Sequence, residues 1–97
     1  MNILVLGSGG REHAIIKSMS MSKRNSALYA LPGNGGTSQL AKNIQGDVND
    51  FDLIKNVVKE KDISIVVVGP EDPIVRGIYD YFKANPELSN VKIIAPL

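Results

Sequence analysis

The chain reads as an α/β domain built on a doubly wound parallel sheet of about five strands, a single three-layer domain of Rossmann-like type. Short continuous apolar runs alternate with segments whose apolar residues recur at helical spacing. Strands that alternate with helices pair in parallel through crossover connections, and strands without polar alternation suit a sheet covered on both faces. Glycine or proline-glycine punctuation closes the strongest of these runs, at Gly7, Pro32-Gly33 and Gly69-Pro70.

In order, Ile3 to Leu6 is a buried strand closed by Gly7, and Ala14, Ile15, Ile16 and Met19 give a helix from about Arg11 to Met21. Ser20, Ser22 and Asn25 mark a loop before a second strand, Ala27 to Leu31, which Pro32-Gly33-Asn34-Gly35-Gly36 stops. Thr37 to Asp47 carries the weakest pattern, with a helical turn near Ser38–Ala41 and a short strand around Asn43–Ile44. Phe51, Ile54, Val57 and Val58 form a helical stripe with Asn49 or Asp50 as its N-cap. Ile63 to Val68 is the clearest strand, β-branched and apolar. Asp72 is suited to cap the next helix, Pro73 to occupy its first position, and Ile74, Ile78 and Phe82 repeat every fourth residue along it. Val91 to Ala95 is the last strand, and a unit of this type normally continues beyond such a strand, so the chain reads as a cut piece.

Composition narrows the functional classes. Ninety-seven residues make one small domain. The absence of cysteine excludes disulfides, thiolate metal sites and cysteine nucleophiles, and a single histidine makes no zinc site. A net charge of +1 with scattered Lys and Arg predicts neither nucleic acid nor a membrane as partner. The start, Met1 to Gly7, lacks a basic n-region, and no stretch approaches the roughly 20 apolar residues of a bilayer span, so a cytoplasmic protein is expected.

Ligands of open α/β sheets bind outside the carboxyl ends of the strands, and three loops belong at that edge. Gly7-Ser8-Gly9-Gly10-Arg11-Glu12 joins a strand to a helix, so helix N-terminal N–H groups and the positive end of the helix dipole favour an anion such as phosphate. Ser8 adds a hydroxyl and Arg11 a fork of donors. The plain alternative is a tight glycine turn that holds nothing. A dinucleotide fits poorly: the third glycine of G-x-G-x-x-G is replaced by Glu12, and Leu31-Pro32-Gly33 stands where an acid would hold the ribose hydroxyls. No Gly-Lys-Ser/Thr of a P-loop follows either. The second loop, Pro32-Gly33-Asn34-Gly35-Gly36-Thr37, is a shaped ligand loop in which Asn34 offers amide donor and acceptor, or else a surface turn. In the third, Gly69-Pro70-Glu71-Asp72-Pro73, Glu71 is placed to accept from ribose hydroxyls or an amine, or to form a supporting salt bridge. His13, Tyr79, Tyr81 and Phe82 read as packing residues, with His13 buried and satisfied, and Lys17, Lys55, Lys59 and Lys61 as solvated helix faces.

Gly-Ser-Gly-Gly-Arg-Glu-His-Ala from Gly7 to Ala14, Pro-Gly-Asn-Gly-Gly-Thr from Pro32 to Thr37, and Val-Gly-Pro-Glu-Asp-Pro-Ile-Val-x-Gly from Val68 to Gly77 resemble, in order and spacing along the whole chain, the phosphoribosylamine–glycine ligase (glycinamide ribonucleotide synthetase) family. The resemblance implies an ATP-grasp ligase of de novo purine (IMP) biosynthesis. Such an enzyme joins phosphoribosylamine to glycine through a glycyl phosphate, with ATP cleaved to ADP and phosphate. Residues 1–97 would be the pre-ATP-grasp domain, binding the phosphoribosyl substrate or the product glycinamide ribonucleotide through Gly7, Ser8, Gly9, Gly10, Arg11, Glu12, Pro32, Gly33, Asn34, Gly69, Pro70 and Glu71. ATP and Mg²⁺ (or Mn²⁺) would belong to domains that this chain lacks, leaving it without catalytic residues, metal or activity of its own. Two features depart from the family: Leu97 stands where it has Ser or Thr, and Ile15 to Ser20 replaces a more alanine- and leucine-rich pattern. A stand-alone dinucleotide-binding regulator and an assembly module, self-associating through apolar surface left by missing domains, are the alternatives.

Overall fold

A strand covered on both faces needs apolar side chains along its covered length, and the most central strand of this sheet has them from Ile3 to Leu6. A computed structural model describes residues 1–22 and 27–95; Asn25, read from the sequence as loop, and Pro96 and Leu97 lie outside the described residues. In chain order come β1 (Asn2–Gly7), α1 (Gly10–Ser22), β2 (Ala27–Pro32), a 3₁₀ turn (Thr37–Gln39), β3 (Lys42–Asn43), α2 (Phe51–Glu60), β4 (Ile63–Val68), α3 (Asp72–Val75), α4 (Ile78–Ala84), a second 3₁₀ turn (Pro86–Leu88) and β5 (Lys92–Ile94). The five strands are all parallel, in the order β3-β2-β1-β4-β5, as the alternating pattern predicts. The direction of winding reverses beside β1, so β1 lies between β2 and β4 with Leu4 paired to Tyr29 on one side and to Val66 on the other.

Side chains alternate across a strand, so β1 feeds both faces. Ile3 and Val5 pack with Ile16 of α1, Leu28, Ala30 and Val67, while Leu4 and Leu6 pack with Ile54 and Val58 of α2 and with Ile78 and Phe82 of α4. Helix α1 thus covers one face and α2 with α4 the other, giving the expected three layers. Asp50 caps α2, accepting from the Leu53 N–H at 3.2 Å, which settles the choice between Asn49 and Asp50.

Several local expectations change. Helix α1 runs through Ser20 and Ser22, which the sequence marks as loop; Ser20 Oγ turns back to the Lys17 carbonyl at 2.8 Å, a bond that serines make within helices. The helical repeat from Asp72 to Phe82 is broken in two by Gly77, whose φ of +94° is left-handed. Asp72 is the first residue of α3 rather than its cap; Glu71 holds the cap position and makes no side-chain cap bond. Lys55 is no solvated face: its ammonium donates to Asn85 Oδ1 at 2.9 Å and lies 3.1 Å from Glu87, fastening α2 to the second 3₁₀ turn.

Tyr81 also joins two elements. Its hydroxyl donates to Asp52 Oδ1 at 2.6 Å, and its ring lies 5.4 Å from that of Phe51. Ionisation would forfeit that donated bond and set a phenolate beside carboxylates, so the phenol is pushed up from 10.0 to about 12. Its contribution to stability is therefore complete below pH 10.0 and disappears as pH rises through about 12. Urea midpoints taken from neutral pH upward are expected to fall faster in that window for the parent chain than for Tyr81→Phe. Parallel curves would show that the Asp52 bond does not contribute.

Candidate functional site

The carboxyl ends of β1, β2 and β4 are joined by backbone. The Gly33 N–H donates to the Gly7 carbonyl at 3.0 Å and the Gly69 N–H to the Leu6 carbonyl at 3.1 Å. This brings the three glycine-bearing loops together where the winding reverses, the place at which open α/β sheets take ligands. A cleft of about 360 Å³ opens there. Gly7, Ser8 and Glu12 line it from the first loop, Pro32 and Pro70 from the second and third, and Gly46, Asp47 and Val48 from a fourth segment.

The first loop carries the donors. The His13 N–H reaches the Gly9 carbonyl at 3.1 Å, so the Gly10, Arg11 and Glu12 N–H groups precede the first intrahelical bond. A glycine at the cap offers no side chain to satisfy them, and Gly10 and Arg11 are exposed beside the cleft. Two amides without a partner among the described residues, at the positive end of a helix dipole, suit an anion. The Arg11 guanidinium does not line the cleft; its Nε lies 3.6 Å from Glu12 Oε2 with the side chain 57% exposed. The contact is long and its Arg11 end is solvated, so it holds the guanidinium weakly and leaves the side chain free to reorient.

Glu12 is the surprise of the loop. It is only 7% exposed. Its Oε1 accepts the Gly9 N–H at 3.2 Å, so its carboxylate holds the loop it belongs to. The side chain lies where strand ends meet: a methyl at Gly7 would strike Oε1, and one at Gly69 would come within 2.6 Å of Cγ. In a dinucleotide fingerprint the third glycine lets helix and strand approach closely. Here the larger residue stands at that position, and the glycines opposite it make the room.

Asn34, expected to face a ligand, is occupied within the protein. Its Nδ2 donates to the Ser8 carbonyl at 2.7 Å and its Oδ1 accepts the Thr37 N–H at 2.9 Å, tying the second loop to the first. Thr37, fully buried, accepts the Asn34 N–H at 2.7 Å and donates its single hydroxyl hydrogen to Asn43 Oδ1 at 2.7 Å or the Asn34 carbonyl at 3.0 Å. His13 is half-buried against Gly36 rather than buried, and no hydrogen bond reaches its ring among the described residues. Glu71 is exposed and outside the cleft lining. Asp72 accepts from Asn49 Nδ2 at 2.9 Å and from Arg76 Nε at 3.4 Å, and the Asn49 bond, with Arg76 beside it, holds its carboxyl below the usual carboxylate range.

Of the residues singled out from the sequence, Gly7, Ser8, Glu12, Pro32 and Pro70 line the cleft. Gly9, Gly10 and Arg11 stand exposed next to it, while Gly33, Asn34 and Gly69 shape the loops behind it. The fourth wall, Gly46 to Val48, escaped the sequence reading because β3 is only two residues long and gives no apolar run. Its one legible signal is position, since a loop after any strand of a parallel sheet falls at the same edge.

The whole chain, residues 1–97, matches the family model described as phosphoribosylglycinamide synthetase, N domain. The phosphoribosylamine–glycine ligase of Caldanaerobacter subterraneus subsp. tengcongensis is 42% identical over 96 residues, covering 99% of this chain and 22% of that protein. The crystal structure of phosphoribosylamine–glycine ligase from Thermotoga maritima aligns with a TM-score of 0.54 at 27% identity, over 75% of this chain and 16% of that one. A dTDP-glucose 4,6-dehydratase from Bacillus anthracis str. Ames, solved in complex with NAD, aligns with a TM-score of 0.75 over 98% of this chain and 36% of its own. At 16% identity that likeness is one of fold alone. The chain spans about a fifth of the length of the first curated relatives it matches.

Proposed function

The chain belongs to the phosphoribosylglycinamide synthetase N-domain family, and from that membership we propose that it is the N-terminal, phosphoribosyl-binding part of a ligase that joins glycine to 5-phosphoribosylamine with ATP cleavage. The observation that supports a binding role is the cleft at the reversal of the sheet, with the exposed Gly10 and Arg11 amides beside it. The phosphate of the substrate sits at those amides and at the Ser8 hydroxyl, and Arg11 leaves Glu12 to join it. ATP and Mg²⁺ (or Mn²⁺) are held by the further length that the relatives possess, so this chain alone binds and does not turn over.

Two or three hydrogen bonds to a charged group are worth about 1.5–3 kcal/mol each. Association opposes them by at least about 4 kcal/mol. A dissociation constant on the order of 1 mM is therefore expected for ribose 5-phosphate, equivalent to about −4.1 kcal/mol. Titrating the chain with ribose 5-phosphate, glycinamide ribonucleotide and NADH while following amide NMR shifts tests the reading. Saturating shifts at Ser8, Gly10 and Arg11 with both sugar phosphates and not with NADH are expected. Equal response to NADH would transfer the cleft to the dinucleotide class, and silence of those amides would remove the phosphate site from this chain.

A further inference from the structure

The cleft is electrically lopsided. No Lys, Arg or His side chain lines it among the described residues, so within the lining an anionic group finds its donors in the backbone at the start of α1 and in the Ser8 hydroxyl, with Arg11 outside it. The side chains that carry charge in the lining are two acids, Glu12 and Asp47. Glu12 is nearly buried, with one oxygen on the Gly9 N–H and the other facing Arg11. Asp47 differs: it is exposed, and its Oδ1 accepts the Asn49 N–H at 2.8 Å, which holds the carboxylate in place. Its Oδ2 has no donor among the described residues. Glu71, the acid that the sequence places nearest a ribose or amine, lies outside the cleft, and Asp72 is occupied by Asn49 and Arg76.

We propose that Asp47 binds the hydroxyl- or amine-bearing end of the ligand whose phosphate lies at the start of α1. The inference rests on the phosphoribosyl reading of the cleft and assigns the donor-rich end of that ligand to a named side chain. A carboxylate takes hydrogen bonds from hydroxyls and ammonium groups and repels phosphate, so the cleft selects ligands that are anionic at one end and donors at the other. The fourth segment is held for this purpose from both sides: Asn49 links Asp47 to Asp72 of α3 through its backbone N–H and its Nδ2, and the Asp50 N–H returns to the Asp47 carbonyl at 3.0 Å.

The test compares the parent chain with Asp47→Asn, using ribose 5-phosphate and inorganic phosphate as probes and the amide shifts of Ser8, Gly10 and Arg11 as readout. Asn retains an oxygen for the Asn49 N–H and Asp47 is exposed, so the fold is expected to persist; an unchanged amide spectrum away from residues 46–49 checks it. The expected result is that the parent binds ribose 5-phosphate more tightly than phosphate, and that the substitution weakens the sugar phosphate by roughly threefold to tenfold, the difference between a hydrogen bond accepted by a charged group and one accepted by a neutral amide oxygen, without weakening phosphate. A carboxylate that stands near the ligand without touching it acts only by repulsion, so tighter binding of both probes in the variant overturns the proposal. Equal affinities of the parent for the two probes, or an unchanged sugar-phosphate affinity in the variant, overturn it as well while leaving the phosphate site intact. Silence of the loop amides with both probes in the parent removes the phosphoribosyl reading and this inference together.

Discussion

Gly69→Ala is expected to destabilise the domain by about 2–4 kcal/mol, although the same change in an ordinary turn stabilises by roughly 0.4–1 kcal/mol through the unfolded chain. The sign of the effect comes from what surrounds the residue. An added Cβ would stand 2.6 Å from Glu12 Cγ, 2.7 Å from Cδ and 2.8 Å from the Leu6 carbonyl oxygen. The Leu6 carbonyl cannot withdraw, because it belongs to a central strand and accepts the Gly69 N–H at 3.1 Å. Glu12 can withdraw only by giving up its bond to the Gly9 N–H. Overpacking of this kind costs about 1–3 kcal/mol, and a lost hydrogen bond adds about 1. Against the roughly 5–15 kcal/mol that a domain of this class possesses, the change is large. The chain has no tryptophan, so urea unfolding is best followed by far-ultraviolet circular dichroism. Combining Gly69→Ala with Glu12→Ala is expected to recover part of the loss, the side-chain part, and the non-additivity measures how closely the two residues pack. A neutral or stabilising Gly69→Ala would mean that Glu12 does not lie between the strand ends.

Leu88→Ala is expected to cost about 2–3 kcal/mol, measured as the shift of the urea midpoint. Read locally, Leu88 sits in Asn85-Pro86-Glu87-Leu88-Ser89-Asn90, a polar connection between helix and strand in which a leucine-to-alanine change is worth no more than about 0.5 kcal/mol. In the fold it is 1% exposed, held by the second 3₁₀ turn and packed in the cluster that includes Ile78 and Phe82. Core leucine truncations cost about 2–5 kcal/mol, with the lower values where surroundings close over the gap. The groove bordered by Tyr79, Phe82, Val91 and Ile93 next to Leu88 allows such closure, which places the estimate at the lower end. A loss below about 0.5 kcal/mol would show that the turn is not anchored to the core.

Much of the architecture was legible in the residues. Ile3–Leu6 is an unbroken apolar run and Ile63–Val68 is one but for Ser64, and the two form the centre of the sheet. Asp50 sits before an apolar stripe of helical period and caps α2. Each of these signals lies within a few positions of the chain, where helix spacing, strand burial and capping act. The misreadings come from contacts of longer reach. Asp72 looked like a cap because an acid before Pro-Ile-Val usually is one, yet Asn49, 23 positions away, takes its carboxylate. Lys55 looked solvated until Asn85, 30 positions away, came within 2.9 Å.

The candidate site divides in the same way. The glycine loop, its position after the first strand and the free amides at the start of α1 follow from local composition, because glycine offers no cap and a helix always begins with unpaired N–H groups. The parallel winding also follows, since alternating elements leave few other topologies. Which acid faces the cleft does not follow. Glu71 and Asp47 are each a short step beyond a strand, and only the packing of β3 against β2, together with the Asn49 bridge to α3, turns the segment 46–48 to the cleft while Glu71 stays outside. Local energetics depend on neighbours within a helical turn, whereas a cleft wall depends on the register of strands tens of residues apart, and that register is set by the whole core at once.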